Sequence, residues 1–529
     1  METIYWDLSF SFKNPRFNIW EYEVSIQLFT YENLYGLDPD KVERKSFGNK
    51  IIIQSKGLTS SGGQEKIGGT ATLIALRQNG KIFFHVEATH PYYPIKSCKI
   101  ILHGLDVESF TTTEVANNKI PEKGIWLCYP YPDLTSPMIG FTLRNEEKIF
   151  IENRDKEVRE KRIAIVPKGG KVDVELIFEE LATQFDKRIE ISPWIISRTN
   201  NFITCIENYY DWFASEYGLK SWERREDVPE WARKIKICLC LHGAHWTGYI
   251  FNTYKEMEKI IDWATTLIEG EKILVYLPGW EGRYYWQYGD YRPEPRMGGK
   301  DGLKRLIQFA HSKGVKIMLM FGSNCTNRHH RDYKKYGPQS RLHEPGGEIF
   351  QGNRPDWATE RCRDTSWQVW LNPGAPKWRN HLLNQIGSLI KEYNFDAIFL
   401  DTSGCWVNDP FYPVFPGYKK IKEKLYTNYP DKLLAGEMWY DALLTIFPLF
   451  QGPPLQLAPH IFAKYARSTG HLSIGDISRG STGVFEKGYN PFSEPKVTTG
   501  MIPMLTFVDG TLDKCREELA SIIKKIDKQ

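Results

Sequence analysis

The feature that most constrains the fold is a change of hydrophobic pattern near residue 231. Beyond it, short apolar runs alternate with longer amphipathic segments, as expected of βα units whose strands are buried on both faces. We predict five consecutive parallel strands in KIKICLCLHG, EKILVYLPGW, VKIMLMFGSN, FDAIFLDTSG and KLLAGEMW. The segments between them have helical spacing, and the first two, YKEMEKIIDWATTLIEG and GLKRLIQFAHSKG, end at a glycine. The pattern predicts an α/β fold, a (β/α)8 barrel of the TIM type.

The part of the chain that follows the fifth predicted strand is short for the three βα units that would complete such a barrel. Only 90 of the 529 residues follow Trp439, where three further βα units are needed. We predict that HLSIGDI and MIPMLTFVDG are extended and that TLDKCREELASIIKKIDK is the closing helix. The sixth strand is not evident, so we expect a barrel that is irregular or incomplete after its fifth strand.

Residues 1–185 have a different pattern: short segments in which polar and apolar residues alternate are separated by Gly, Pro, Asn and Asp. In ATLIALRQNGKIFFHVEAT and KRIAIVPKGGKVDVELIFEEL, the turns RQNGK and PKGGK join strand-like runs at hairpin spacing. The pattern predicts an antiparallel β-sandwich, within which we find no catalytic cluster. Residues 186–230 have helical character, and we interpret them as a linker before a barrel domain of residues 231–529.

Charge and composition exclude several classes of partner. The chain has 69 basic and 65 acidic residues, which leaves no large basic field for nucleic acid or an anionic membrane. No apolar run reaches the ~18 residues of a membrane span. METIYWDLSFSFKNPRF lacks the pattern of a secretion signal, so we expect a cytoplasmic protein. The nine cysteines form no CxxC pair and are interpreted as reduced core thiols; we assign no cofactor, and the oligomeric state stays open.

Two acidic residues end the fourth and fifth predicted strands. The period of two places Ala397, Phe399 and Asp401 on one face, and the same spacing puts Glu437 at the end of the next strand. Reactive groups of barrels lie at the carboxyl ends of the strands, and neighbouring strands are about 4.8 Å apart. These two carboxylates can therefore approach the ~5–5.5 Å separation of a retaining glycosidase.

In that mechanism Asp401 attacks the anomeric carbon, while Glu437, kept protonated by its neighbour's charge, donates a proton to the leaving oxygen. The alternative is that Asp401 caps the following loop through backbone contacts and that Glu437 is a solvated strand end.

Aromatic and polar residues accompany these strand ends. Aromatic residues make up 14% of the chain, and rings that stack on sugars are one reason for such an excess, core packing being the other. We predict substrate contacts from Trp246, Trp280, Trp406, Trp439, His242, Asn324 and Asp509. His242 and His245 resemble half of a metal site, but no third ligand follows at suitable spacing, and we assign no metal.

FDAIFLDTSG and KLLAGEMW resemble the nucleophile strand and the acid/base strand of retaining α-glycoside hydrolases with barrel domains, in particular endo-α-N-acetylgalactosaminidase and the α-amylase-like group. LPGWEGRYYWQYGDY and MGGKDGLKRLIQFAHSKGVKIMLMFG resemble the second and third barrel segments of these and of α-galactosidase-like enzymes. The resemblance covers about residues 235–440 and implies α-linked substrates. Phe399 stands where α-galactosidases have a Lys and α-amylases an Arg, two residues before the nucleophile, so the sugar stays open.

The sequence therefore predicts a glycoside hydrolase whose partner is an oligosaccharide or another glycoside, with no nucleic-acid or membrane partner. One alternative is a non-catalytic barrel that binds carbohydrate, and another is a retaining enzyme that acts mainly as a transglycosylase. A lyase or isomerase barrel would need a Schiff-base lysine at a strand end or a phosphate-binding glycine loop, and neither is evident in the sequence.

Overall fold

The computed structural model describes residues 14–245, 248–351, 367–437, 439–452, 455–470, 499–508 and 510–528. Within residues 14–199 the backbone forms two antiparallel sheets, as expected of a β-sandwich. One sheet contains, in spatial order, Ile125–Tyr129, Lys161–Lys168, Lys171–Glu179, Ile95–Leu105, Tyr22–Thr30, Leu34–Leu37, Leu58–Ser60 and Lys66–Ile67, with Phe17–Ile19 paired to Tyr22–Thr30. The other contains Asn118–Lys119, Val107–Thr111, Met138–Leu143, Lys148–Asn153, Trp194–Thr199, Lys81–Thr89, Thr70–Gln78, Lys50–Ser55 and Val42–Phe47, with Arg188–Glu190 paired to Lys81–Thr89.

The two hairpin turns expected from the sequence are present. In the RQNGK turn, Gln78 pairs with Lys81, and the two residues between them, Asn79 and Gly80, have φ angles of 51° and 73°. Two consecutive residues with positive φ define the tight turn that matches the twist of paired strands, and Asn-Gly is the sequence that adopts it most readily. The PKGGK turn also joins two paired strands.

The antiparallel structure extends beyond residue 185, the limit expected from the sequence. Arg188–Glu190 and Trp194–Thr199 both pair with Lys81–Thr89, although they lie in the segment interpreted as a helical linker. The run RIEISPWIISRT alternates in polarity, which is the pattern of a strand rather than of a helix. The helical part of the linker begins only at Phe202, in the helix Phe202–Tyr217.

The remainder of the chain is built on one parallel sheet. Its strands are β1 Ile237–Leu241, β2 Ile273–Leu277, β3 Lys316–Gly322, β4 Ala397–Asp401, β5 Leu433–Glu437, β6 Leu449–Gln451, β7 Arg467–Thr469, β8 Met501–Ile502 and β9 Met504–Phe507. The five strands expected from the sequence are β1 to β5, in that order. All residues of β1, β2, β4 and β5 are buried, as expected of parallel strands covered on both faces.

The parallel sheet closes on itself. β8 pairs with β7 and β9 pairs with β1, so that a single extended segment, interrupted at Pro503, joins the two ends of the sheet. Proline has no N–H to donate to a ladder, and the carbonyl of Pro503 instead accepts a hydrogen bond from the backbone of Cys238. The described strands therefore form a barrel-like ring with its last strand divided in two.

Helices cover this ring. They are α1 Tyr254–Thr265, α2 Gly299–Ser312, α3 Pro376–Tyr393, α4 Val414–Asn428, α5 Pro459–Tyr465 and α6 Thr511–Lys528. The segments outside these elements contain two short helices, Glu230–Arg233 and Tyr333–Tyr336, and one antiparallel strand pair, Cys325–Asn327 with Gln368–Trp370. Between residues 14 and 528, as far as the structure describes them, no helix is long and apolar enough to cross a membrane.

The ring is irregular after β5, in line with the expectation. The connection from β5 to β6 contains the 3-10 helix Asp441–Thr445 in place of an α-helix. β6 and β7 are three residues each, too short to show a period, which is why the sequence did not reveal a sixth strand. HLSIGDI lies outside the described residues, so the eightfold alternation of strand and helix stays a prediction.

A buried aspartate joins the antiparallel sheets to the barrel. Asp441, fully buried, accepts hydrogen bonds from the hydroxyls of Tyr129 and Tyr209, each at 2.7 Å, on its two carboxyl oxygens. Its backbone N–H donates to the carbonyl of Thr135 at 2.8 Å. Burial raises the pKa of Asp441 to about 6, although both hydroxyls stabilise its charge. Since Glu437 lies four residues earlier, this contact anchors the segment that follows β5.

We predict that Asp441→Ala lowers the free energy of unfolding by about 2–4 kcal/mol, because it leaves two buried tyrosine hydroxyls without an acceptor. Tyr209→Phe removes one hydrogen bond together with its donor and should cost only about 1 kcal/mol. Urea denaturation followed by circular dichroism measures both variants. Equal losses in the two would contradict a shared acceptor at Asp441.

Candidate active site

Asp401 and Glu437 are brought together at the carboxyl ends of β4 and β5. The two strands are parallel, with Leu400 opposite Gly436, so the acids occupy the next pair of positions. Their side chains are hydrogen-bonded to each other, and the residues are only 5% and 8% exposed. Neither acid is a solvated strand end, which was the alternative interpretation for Glu437.

The contact between the two carboxyl groups affects their protonation. Burial and the negative charge of Glu437 raise the pKa of Asp401 well above its usual value. Two carboxyl groups in contact in a buried site resist losing both protons, so the pair retains a proton to a higher pH than exposed carboxyl groups do. The backbone N–H of Thr402 donates to Glu437 Oε2 at 2.8 Å and stabilises charge there.

Tyr288 orients the carboxyl group of Asp401. Its hydroxyl donates to Asp401 Oδ2 at 2.6 Å, and both groups are buried. The ring reaches this position because Gly322, paired with Asp401 at the end of β3, has no side chain; a Cβ there would lie 2.2 Å from the ring. Burial, followed by the charges of Asp401 and other groups, raises the pKa of Tyr288 well above its usual value. Tyr288 therefore remains a hydrogen-bond donor.

Thr402 holds a strained backbone conformation between the two acids. Its φ is 59°, a left-handed value that a β-branched residue rarely adopts. The conformation is held by hydrogen bonds: the hydroxyl of Thr402 donates to Asn324 Oδ1, and Asn324 Nδ2 donates to the carbonyl of Thr402 at 3.2 Å. Strain of this kind persists only where surrounding contacts impose it, and here it aims the Thr402 N–H at Glu437. Both polar atoms of the Asn324 side chain are used in this way.

Two buried polar side chains that follow β1 and β2 lack side-chain partners among the described residues. His242 follows β1, and neither of its ring nitrogens has a hydrogen bond to another described side chain. Glu281 follows β2, and the same is true of both its carboxyl oxygens. Burial lowers the pKa of His242 to about 3 and raises that of Glu281 to about 8, so both are neutral at pH 7. Buried polar groups without partners are rare in proteins and call for an explanation, such as a catalytic role or a bound water molecule.

The predicted tryptophans have different surroundings. Trp280 is fully buried, its indole N–H donates to the carbonyl of Met320 at 3.0 Å, and its ring packs near Phe321; the structure gives it a packing role. Trp439 is buried near Phe462, with ring centroids 5.3 Å apart. Trp406 lines a cavity of about 210 Å³ between the barrel and the antiparallel sheets. Trp246 and Asp509 lie outside the described residues.

One group of side chains in the described part of the chain has metal-ligand spacing. His85, Glu87 and Glu190 lie on paired antiparallel strands, with their ligand atoms within 4.8 Å of one another. Arg188 lies 3.5 Å from Glu87 and 3.4 Å from Glu190. Since this guanidinium already supplies the countercharge, ion pairing explains the cluster, which is remote from the acid pair in the sheet topology.

The two acids, His242 and Asn324 were predicted from the sequence, and their roles in a site stay predictions; Tyr288, Thr402 and Glu281 were not predicted. Tyr288 and Glu281 lie in the run GWEGRYYWQYGDY, where a loop rich in aromatic residues gives no sign of which ring turns inward. The glycine at the end of β3 is the one signal that could have indicated a ring packed over that strand.

Known proteins share this architecture. Residues 280–440 match the model of a family described as glycosyl hydrolase-like 10. Alpha-N-acetylgalactosaminidase NagBb from Bifidobacterium bifidum, solved as a GalNAc complex, is 12% identical, with 97% of this chain and 93% of that chain covered and a TM-score of 0.67. The GH36 alpha-galactosidase AgaA from Geobacillus stearothermophilus is 10% identical, with 95% and 75% covered and a TM-score of 0.52. The resemblance to barrel glycoside hydrolases is thus confirmed at the level of the fold.

We predict that Glu281→Gln changes the pH dependence of stability. An unfolded glutamate ionises near pH ~4.3, whereas the pKa of folded Glu281 is about 8. Between these values only the unfolded chain has released this proton, so the wild-type protein loses stability as the pH rises. The melting temperature of Glu281→Gln should therefore exceed that of the wild type by an amount that grows from pH ~5 to ~8 and then levels off.

Thermal denaturation of both proteins across this pH range measures the difference. The control is Glu65→Gln at an exposed glutamate, and its difference in melting temperature from the wild type should not increase with pH. A difference between wild type and Glu281→Gln that stays constant over the range would rule out a buried, protonated Glu281.

Proposed function

We propose that this protein is a glycoside hydrolase that cleaves α-linked glycosides by double displacement, with Asp401 as nucleophile and Glu437 as general acid and base. The observation that carries the proposal is the contact of two buried carboxyl groups at the ends of neighbouring barrel strands. A protonated and an ionised carboxyl group side by side are the two components that this chemistry requires.

The separation of the acids favours retention over inversion. An inverting enzyme needs about 6.5–9.5 Å between its carboxyl groups to accommodate a water molecule, and a retaining enzyme about 5–5.5 Å. Hydrogen-bonded carboxyl groups lie closer than either distance. The pair has to open less to reach the spacing of a retaining enzyme than to reach that of an inverting one.

In the first step Glu437 carries a proton, and Asp401 is ionised. A carboxylate oxygen of Asp401 forms a bond to the anomeric carbon as the bond from that carbon to the leaving oxygen breaks, and Glu437 transfers its proton to that oxygen. The Tyr288 hydroxyl, bonded to Asp401 Oδ2, stabilises the nucleophile's charge.

In the second step Glu437, now ionised, takes a proton from water, and the hydroxide oxygen attacks the anomeric carbon. The ester bond to Asp401 breaks, the sugar leaves with its original anomeric configuration, and the pair again holds one proton. The Thr402 N–H, 2.8 Å from Glu437 Oε2, stabilises the carboxylate that forms between the two steps.

The neighbouring polar groups support a sugar as the ligand. His242 and Glu281 are buried, neutral and without side-chain partners in the part of the chain described, so they offer acceptors and donors to hydroxyl groups. The proteins of similar fold are named as an alpha-N-acetylgalactosaminidase and an alpha-galactosidase. We therefore place α-linked N-acetylgalactosamine and galactose first among the sugars to be tested on this chain.

We predict that Asp401→Asn and Glu437→Gln each lower kcat at least about a hundredfold, because each removes a group that reacts or transfers the proton. The measurement is hydrolysis of a panel of aryl glycosides covering both anomers of galactose, glucose and N-acetylgalactosamine. Circular dichroism checks that both variants fold.

Asp396→Asn is the matched control, because Asp396 immediately precedes the opposite end of β4 and its carboxyl group contacts His311 at 2.8 Å. It should lower stability and leave kcat close to that of the wild type. Unchanged turnover in either acid variant would remove that residue from the mechanism, and a wild-type protein inactive on every glycoside would refute the proposed function.

A further inference from the structure

A row of aromatic rings lies at the carboxyl ends of the barrel strands and reaches Asp401. The ring of His242, which follows β1, lies 5.7 Å from the ring of Tyr284, measured between centroids. The ring of Tyr285 lies 5.2 Å from that of Tyr284 and 5.2 Å from that of Tyr288. Tyr288 in turn donates its hydroxyl to Asp401 Oδ2 at 2.6 Å. Tyr285 therefore contacts the side chain that is bonded to the proposed nucleophile.

Tyr285 retains accessible surface in this row. Tyr284 and Tyr288 are buried, whereas Tyr285 is half-buried. The barrel interior beneath the row is filled, because Tyr276 of β2 and Phe399 of β4 are fully buried with their ring centroids 4.9 Å apart. The accessible surface of Tyr285 is therefore on the open side of the barrel, where the strands end.

The backbone of Tyr285 is left-handed. Its φ is 62°, a value that residues with a large side chain rarely adopt. The N–H of Gln287 donates to the carbonyl of Arg283 at 2.9 Å and closes a turn around Tyr285. The carbonyl of Trp286 accepts a hydrogen bond from Asn327 Nδ2 at 3.0 Å, which ties this turn to the short strand that follows β3. Strained residues that are held by their surroundings concentrate at active sites and ligand sites.

The electrostatic surroundings of Tyr285 agree with this placement. Burial raises the pKa of Tyr285 well above its usual value, and the charges of Asp401 and Glu437 raise it further. A ring that is partly accessible and yet deep enough for this effect lines a recess rather than the outer surface.

We propose that Tyr285 stacks on the sugar unit whose anomeric carbon Asp401 attacks, and thereby sets the affinity of the site for that unit. The proposal rests on the function proposed above, because it uses Asp401 as the nucleophile. A phenol ring presents a flat apolar face to the C–H groups of a sugar ring, and the left-handed backbone fixes the direction of that face. Tyr288 then orients the carboxyl group that attacks, and Tyr285 orients the sugar that is attacked.

The test replaces Tyr285 with glycine, which adopts a left-handed backbone without strain, so that the ring is removed and no backbone clash is added. The substrate is the aryl α-glycoside of galactose, glucose or N-acetylgalactosamine that the wild type cleaves fastest, and the free monosaccharide serves as inhibitor. We expect Tyr285→Gly to raise both KM and the inhibition constant at least about tenfold, with a smaller change in kcat. Tyr285→Phe keeps the ring and should stay within about threefold of the wild type.

Circular dichroism and thermal denaturation check the fold of each variant. If the glycine variant does not fold, Tyr285→Asn takes its place with the same expected result, because asparagine also tolerates a left-handed backbone. The matched control is Trp20→Gly, at another aromatic residue with a left-handed backbone, whose φ is 51°. Trp20 lies between the antiparallel strands Phe17–Ile19 and Tyr22–Thr30, and its replacement should change neither KM nor the inhibition constant.

The pH dependence of kcat/KM separates contact with the sugar from mere support of Tyr288. The Tyr288 hydrogen bond lowers the pKa of Asp401, so Tyr288→Phe should shift the acid limb of the profile to higher pH. Tyr285→Gly should leave this limb where it is in the wild type.

An unchanged inhibition constant in the folded glycine or asparagine variant would overturn this inference, as would a shift of the acid limb equal to that of Tyr288→Phe. Either result leaves the proposed function intact. A wild-type protein that cleaves no glycoside of the panel would overturn both.

Discussion

The contact between two carboxyl groups in a buried site is the interaction on which this structure's chemistry depends. Asp401 and Glu437 meet because β4 and β5 are parallel neighbours in register, and burial removes the water that would otherwise screen their charges. Burial and the repulsion between the two groups raise the pKa of Asp401 well above that of an exposed carboxyl group.

Such a contact is unfavourable for folding, and the surroundings compensate for it locally. The Tyr288 hydroxyl bonds to Asp401, and the backbone of Thr402 bonds to Glu437. Each of these donors needs its own support: Tyr288 fits only because residue 322 is glycine, and the left-handed Thr402 is held by Asn324. The strained residue and the close approach are arranged around the acids, which is the distribution expected of a site whose geometry serves reactivity.

The two acids could be predicted to lie together because two sequence patterns coincide at the ends of β4 and β5: the alternation of side chains along a strand and the alternation of strands with helices. A strand period of two and a βα alternation place Asp401 and Glu437 at the same edge of adjacent strands, and both rules act over short distances along the chain. Tyr288 could not be found in this way, since it lies 113 residues before Asp401 and the sequence of its loop does not show which aromatic ring contacts the acid. Trp280 shows the opposite error: its place at a strand end suggested a sugar platform, yet the ring is enclosed by the core.

The most direct test of the central claim is to trap the covalent intermediate. A glycosyl fluoride with an additional fluorine on the sugar ring forms the ester quickly and hydrolyses slowly, so intact mass measurement after incubation shows whether one sugar has been added. Peptide mapping by mass spectrometry then locates it. The account predicts a single sugar esterified to Asp401, in the peptide that contains β4. A label on Glu437 or on any other residue would contradict it.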